Sequence, residues 1–335
     1  MRLRIGIVGL GNAGHYHGRA LRHLDREGAC RWVGVCGRDH AKLDTYRREL
    51  EVPDHTRSYI GLDAMLDAGT CDAVVLATPD PIHTEQLLRC SARGVHVLVE
   101  KPLATSVDAG REALMLARRR DVVVRVGYHL RYHPAHVAVR ERYPALIGRL
   151  RAISMRWAWP DPKTSGWRAR GEGRFWAVSA LGTHCIDLGR WFSGEEPSRV
   201  TCLTTPPLAV DQVDQAAELS IDCGGVLVHA SVAITHSAQP QLILSGESGE
   251  IECVGTLGTR DDGEVWVRPV GALARELEFT RVDPFRAQLL DFFTAIHARD
   301  HRDARELLGN LMVLDAIAED GAELAIDLSA DPALE

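Results

Sequence analysis

His184 and Asp187 lie three residues apart in the run ALGTHCIDLGRW (180–191). On a helix that spacing puts both side chains on one face. Histidine exchanges a proton near neutral pH more readily than any other side chain, and a carboxylate one turn away can hold its second ring nitrogen. Gly182-Thr183 just before it reads as a helix opening, where the positive end of the helix dipole favours a neutral imidazole. A proton handler and a buried structural histidine bonded to Asp187 are both consistent with this run alone. A second constellation, Gly9-Leu10-Gly11-Asn12-Ala13-Gly14, matches G-x-G-x-x-G. It follows a β-branched apolar run and precedes a helical one, the context in which such a turn cradles a pyrophosphate. Gly9 allows the tight turn, Gly11 the approach of the phosphates, and Gly14 close packing of helix on strand.

The elements that must position these residues are legible as alternating runs. RLRIGIVGL, RWVGVCGR, CDAVVLATP, VHVLVEKP and DVVVRVGYH read as five buried strands, with helical stretches between them. Such alternation predicts βαβ units and a parallel, doubly wound sheet of Rossmann type over residues 1–127. After residue 150 strand-like runs dominate: LRAISMRWAW, SRVTCLTT, AAELSIDCG, GVLVHASVAIT, PQLILSGESGEIECVG, EVWVRPV and ELEFTRV. Their alternating polarity and Gly-rich turns predict an α/β domain over 128–335 with a large, mostly antiparallel sheet, closed by two helices.

At the end of the second strand, where an NAD site usually places an acidic residue, this chain has Gly37-Arg38, then Asp39. A guanidinium clamps a 2′-phosphate and a carboxylate repels it, so Arg38 favours NADP(H). NAD remains open through Asp39.

With 335 residues, 45% hydrophobic and 25% charged, the chain has the composition of a two-domain globular protein. A net charge of −7 does not suggest a nucleic-acid partner. No stretch approaches the roughly 18 apolar residues of a membrane span. The eight cysteines form no C-x-x-C pair and are expected as buried free thiols in a reducing cytoplasm. His15, His17, His133 and His136 have no carboxylate or Cys beside them at ligand spacing, so no metal site is expected.

The G-x-G-x-x-G turn together with ATPDPIHTEQLLRCSARGVHVLVEKPLA (77–104) and GTHCIDLGRW (182–191) resembles the family of glucose–fructose oxidoreductase and inositol 2-dehydrogenase. The resemblance runs over nearly the whole chain, through RYHP, Trp167-Arg168 and DPFRAQLLDFF. It implies an NAD(P)-dependent dehydrogenase or reductase acting on CH–OH groups. It also implies a substrate domain whose open sheet face forms the subunit interface of a homodimer or homotetramer. Lys101, after Glu100 and before Pro102, would be the proton handler, with His184 the second group at the substrate oxygen. Gly9, Gly11, Asn12, Ala13, Gly14, Gly37, Arg38, Thr78, Pro79, His83, Glu100 and Lys101 would line the cofactor. His129, Trp167, Arg168 and His184 would face the substrate.

One departure stands out. Inositol-type relatives carry a carboxylate four residues before the histidine, and this chain has Ala180 there. That leaves three readings: an NADP(H)-preferring enzyme on a sugar, cyclitol or sugar derivative, an NAD-dependent inositol-type dehydrogenase, or a non-catalytic cofactor-binding regulatory protein. Trp157, Trp159, Trp167 and Trp176 with Arg168, Arg170 and Arg174 suit a carbohydrate-like ligand, since indole stacks on sugar faces and guanidinium bonds hydroxyls.

Overall fold

The structure, a computed structural model, describes residues 2–161, 166–206, 213–320 and 324–325. The chain divides into two compact units: residues 1–127 with 285–308, and residues 128–284 with 309–335.

The first unit alternates strand and helix. In order these are β1 (Arg4–Val8), α1 (Asn12–Glu27), β2 (Arg31–Gly37), α2 (His40–Glu49), β3 (Arg57–Ile60), α3 (Leu62–Asp67), β4 (Ala73–Leu76), α4 (His83–Ala92), β5 (His96–Val99), α5 (Val107–Arg119) and β6 (Val124–Val126). The sheet has six strands in the order β3-β2-β1-β4-β5-β6, and every neighbouring pair is parallel. Its central strands are short apolar runs. All four residues of β4 (AVVL) are buried, as a strand covered on both faces requires. α1 buries Gly14, His17, Gly18, Leu21 and Leu24 along one stripe and stops at Gly28, which takes φ +78°. α2 opens on Asp39, whose carboxylate accepts from the Ala41 and Lys42 amides, and α5 opens on Ser106. Five strands were expected here. The sixth, β3, is an edge strand of four residues that are mostly exposed, so RSYI carries no hydrophobic signal.

The second unit begins with α6 (Pro134–Ile147), β7 (Leu150–Ala158), a π-helical turn at Val178–Gly182, α7 (Thr183–Ser193), β8 (Pro197–Thr205), β9 (Ala216–Cys223), β10 (Val226–Ala233), β11 (Gln241–Gly246), β12 (Gly249–Val254), β13 (Glu264–Pro269) and β14 (Arg275–Glu276). β8, β9 and β10 alternate buried and exposed residues, the mark of a sheet with one covered and one open face. ELEFTRV (276–282) was expected as a full strand, but of it only Glu276 lies in a strand, β14, with the Leu277 amide adding one further bond to Val265.

Two helices, α8 (Pro284–Ala298) and α9 (Ala304–Asp320), and a two-residue strand β15 (Leu324–Ala325) complete the described chain. The second sheet has nine strands in the order β14-β13-β12-β11-β7-β10-β9-β8-β15, antiparallel except for β7 against β10. The expected division at 127 placed all of 128–335 in the second domain. Residues 285–308 group instead with the first unit. The cause is packing: Phe285, Leu289, Phe292, Phe293 and Ile296 are buried in one core with Ile5, Leu21 and Trp32.

Candidate active site

In the first unit the strand order reverses between β1 and β4, the switch point where ligands bind doubly wound sheets. The turn after β1 and the segment Ala77-Thr78-Pro79 after β4 both lie there. Gly9 has φ +105°, and a Cβ on it would sit 2.3 Å from the Ala77 carbonyl oxygen. A Cβ on Gly14 would sit 2.1 Å from the Gly9 carbonyl oxygen. A Cβ on Gly11 would meet nothing within 4 Å. Two of the glycines are therefore demanded by the fold, and the third fronts open space. Gly11 and Asn12 are exposed, and no side chain caps the start of α1. Its first amide groups point out uncapped, as a bound diphosphate requires. A dinucleotide fits this cradle.

At the end of β2, Gly37 packs on Leu10 and Arg38 is exposed. Thr78 donates its hydroxyl to Gln86 Oε1 at 2.6 Å. His83 is buried, with Nδ1 2.8 Å from the Pro102 carbonyl oxygen and Nε2 2.9 Å from that of Thr78. Its ring thus ties the Thr78-Pro79 segment to the turn after β5, and both nitrogens are engaged by backbone. Lys101 is partly buried in that turn, at the carboxyl end of the sheet, and its bond to Pro102 is cis. Glu100 is buried: His17 Nε2 lies 2.8 Å from its Oε1, and the Lys101 amide donates to Oε2 at 3.2 Å. The His17–Glu100 pair was not anticipated, because His17 was weighed only as a metal ligand.

In the second unit, His184 is 3% exposed and ringed by aromatic side chains. Its ring centroid lies 5.8 Å from Tyr128, 5.0 Å from His129 and 5.7 Å from Trp157. His129 is fixed by its Nε2, 3.0 Å from the Gly258 carbonyl oxygen. The Tyr128 hydroxyl and Thr183 Oγ1 share a hydrogen bond of 2.9 Å, and burial pushes the phenol well above its ordinary pKa. Four of the expected residues or their neighbours therefore meet: His184, His129, Trp157 and Tyr128. Trp167 carries the Arg168 guanidinium over its ring at 4.2 Å. Trp176 is buried and Trp159 is 47% exposed. Arg170 pairs with Glu172 and Arg174 with Asp315. Residues 162–165 of this Trp- and Arg-rich stretch lie outside the described residues.

Two expectations about His184 are corrected. Asp187 does not hold its ring: Arg131 Nε and Nη2 donate to the Asp187 carboxylate at 2.8 and 2.7 Å, and Asn310 Nδ2 at 2.8 Å. Nor does His184 stand at a helix N-terminus. Helical backbone already runs through Ala177 and the π-helical turn, and Gly182 has φ −58° and ψ −40°. The start of that run is capped from afar by Asp214, whose carboxylate accepts from the Trp176 and Val178 amides at 2.7 Å each. Burial raises the pKa of Asp214. Ala180 lies within the π turn.

Among the described residues, no helix is long and apolar enough to cross a membrane, and no group of three or more His, Cys, Asp or Glu side chains could hold a metal ion.

Comparison with known proteins agrees with this geometry. Residues 3–128 match the family described as oxidoreductase family, NAD-binding Rossmann fold, and residues 145–252 match the GFO/IDH/MocA C-terminal domain. An inositol 2-dehydrogenase of Rubrobacter xylanophilus is 31% identical over 267 residues, covering 75% of this chain and 71% of that one. Among solved structures, a levoglucosan dehydrogenase in complex with NADH and levoglucosan superposes with a TM-score of 0.84 at 18% identity, covering 97% of this chain and all of that one. A 3-ketoreductase from Actinomadura kijaniata in complex with NADP and TDP-benzene superposes with a TM-score of 0.83 at 19% identity, covering 94% and 97%. The Gly-rich turn, the Glu-Lys-Pro turn after β5 and the open sheet of the second unit thus have a common explanation: the chain belongs to the GFO/IDH/MocA family of NAD(P)-dependent oxidoreductases.

Proposed function

We propose that this chain is an NADP(H)-preferring oxidoreductase that interconverts a secondary alcohol and a carbonyl of a sugar, cyclitol or sugar derivative. The observation that carries the cofactor preference lies after β2. Arg38 is exposed at the start of α2, while Asp39 turns its carboxylate back onto the Ala41 amide at 2.8 Å. A carboxylate engaged as a helix cap is poorly placed to grip a ribose hydroxyl, and the guanidinium beside it suits a 2′-phosphate.

The backbone amides of Gly11, Asn12 and Ala13 hold the diphosphate, and the Thr78-Pro79 segment, pinned by His83, borders the same end of the sheet. The bound nicotinamide supplies the hydride acceptor or donor. This chain supplies the proton chemistry. Lys101 Nζ takes the proton from the substrate hydroxyl in oxidation and returns it in reduction. His184, ringed by Tyr128, His129 and Trp157, hydrogen-bonds a substrate hydroxyl. Trp167 and Arg168 offer a flat apolar face and a hydroxyl-bonding group to a sugar ring.

The outer face of the second sheet exposes Leu203 and Leu227, which supports a homodimer or homotetramer formed through it. Eight buried free thiols support a reducing, cytoplasmic setting.

Fluorescence titration with NADPH and with NADH tests the reading. Tighter NADPH binding that weakens about 10- to 150-fold in Arg38→Ala, the value of a charge-assisted hydrogen bond, supports it. Tighter NADH binding that is indifferent to Arg38 overturns it in favour of the NAD-dependent, inositol-type enzyme.

A further inference from the structure

The turn that carries Lys101 is tied to the dinucleotide helix by a buried relay. His17 lies on α1, one turn beyond Gly14, and is fully buried. Its Nε2 is 2.8 Å from Glu100 Oε1, the geometry of an N–H donated to a carboxylate. The other oxygen of Glu100 accepts the peptide N–H of Lys101 at 3.2 Å. The imidazole stands edge-on to the Phe285 ring, with centroids 5.0 Å apart and planes at 86°. Gly127 also packs against the carboxyl, where a Cβ would come within 2.9 Å of Glu100 Oε1. Glu100 therefore has little room to swing, and the bond to His17 helps to fix its rotation.

We propose that His17 is a positioning residue for the proton-handling lysine. Through Glu100 it couples the helix whose first amides hold the diphosphate to the peptide that aims Lys101, so that cofactor binding is transmitted to the lysine. The proposal rests on the reading of Lys101 as the proton handler. A purely structural histidine would affect stability, not this coupling.

Only three of the 39 basic residues are lysines: Lys42, Lys101 and Lys163. Reductive methylation with ¹³C-formaldehyde therefore gives one resonance for each lysine and one for the N-terminus, and the Lys101 signal is the one lost in Lys101→Arg. NADPH is then titrated into the labelled wild-type chain and into two amide variants. His17→Gln can still reach Glu100 and His17→Asn falls short, while both keep a polar group at the site.

The expected result is a Lys101 signal that moves on NADPH addition in wild type and His17→Gln, and that loses this response in His17→Asn. NADPH affinity, read by fluorescence, stays within about threefold across the series. With a substrate identified by a sugar and cyclitol screen, kcat falls about tenfold in His17→Asn with KM little changed, the signature of a misaimed group. An identical Lys101 response in His17→Asn and wild type overturns this proposal alone. Full turnover in Lys101→Met overturns the reading of Lys101 and the proposal with it.

Discussion

Asp187 gives both carboxylate oxygens to Arg131, at 2.8 Å from Nε and 2.7 Å from Nη2. One of these oxygens also accepts from Asn310, whose own Oδ1 accepts from Arg190 at 2.8 Å. Arg190 in turn grips Glu196 with two nitrogens at 2.7 Å. The acidic residue beside His184 thus anchors a network beneath the second sheet and leaves the histidine to other work.

That division of labour separates two substitutions. Asp187→Ala strands Arg131 and Asn310 and should cost about 3–5 kcal/mol, the usual loss when one partner of a buried ion pair is removed. His184→Ala should leave stability much closer to wild type while abolishing turnover. Urea unfolding of both variants, with activity measured beside it, checks the pair.

The glycines of the turn after β1 divide in the same way. Gly14→Ala drives a methyl into the Gly9 carbonyl, 2.1 Å from the ideal Cβ position, and should destabilise the first unit severely. Gly11→Ala projects into open space, so its unfolding free energy should change by only about 0.5 kcal/mol or less, as for an unhindered surface change. Its NADPH affinity should nevertheless fall by at least about tenfold, because the methyl occupies the approach of the diphosphate. A Gly11→Ala variant that binds NADPH normally would contradict this placement.

Acid should unfold the second unit through its histidines. Burial holds the His133 imidazole down to about 4 and His136 well below the ordinary 6.5. Above about 6.5 both are neutral in native and unfolded chains alike. As pH falls from there toward 4, the unfolded chain binds protons that the native state refuses. The stability present at neutral pH is therefore lost progressively across that window, with a limiting slope of about 1.4 kcal/mol per pH unit for each histidine. The urea midpoint measured from pH 7 to pH 4 should fall accordingly. His136→Gln should fall less steeply, whatever its stability at pH 7.

Thiol reagents should see nothing until the fold opens. All eight cysteines are buried, and burial pushes Cys36 and Cys71 up to about 11 and Cys30, Cys90, Cys185, Cys202, Cys223 and Cys253 up to about 12. A thiol that is both buried and protonated is a poor nucleophile. Ellman's reagent at pH 8 should label no cysteine in the native protein and all eight in guanidinium.

What was legible in the sequence was local. The turn from Gly9 to Gly14 and the position of Lys101 after a buried strand follow from residues within a few positions of one another. The doubly wound order and the antiparallel second sheet follow from periodicity. The partners of the chemistry are not local. Asp187 meets Arg131 from 56 positions away, Glu100 meets His17 from 83, and Asn310 meets Asp187 from 123. Nothing in the run around His184 announces that Asp214 caps the helical segment ahead of it. Edge strand β3 escaped because its side chains face solvent on both sides.

The placement of α8 has a consequence for how the protein is made. A ribosome delivers residues 1–127 long before it delivers Phe285, Leu289, Phe292 and Phe293, yet these four complete the core around Ile5, Leu21 and Trp32. The nascent first unit must therefore wait, with that apolar patch open, while some 150 residues of the second unit are synthesised. A gene truncated at residue 127 would encode the whole six-stranded sheet and its Gly9–Gly14 turn and still yield a sticky, poorly soluble product. Supplying the missing helix on a short tether after residue 127 is the remedy this topology dictates.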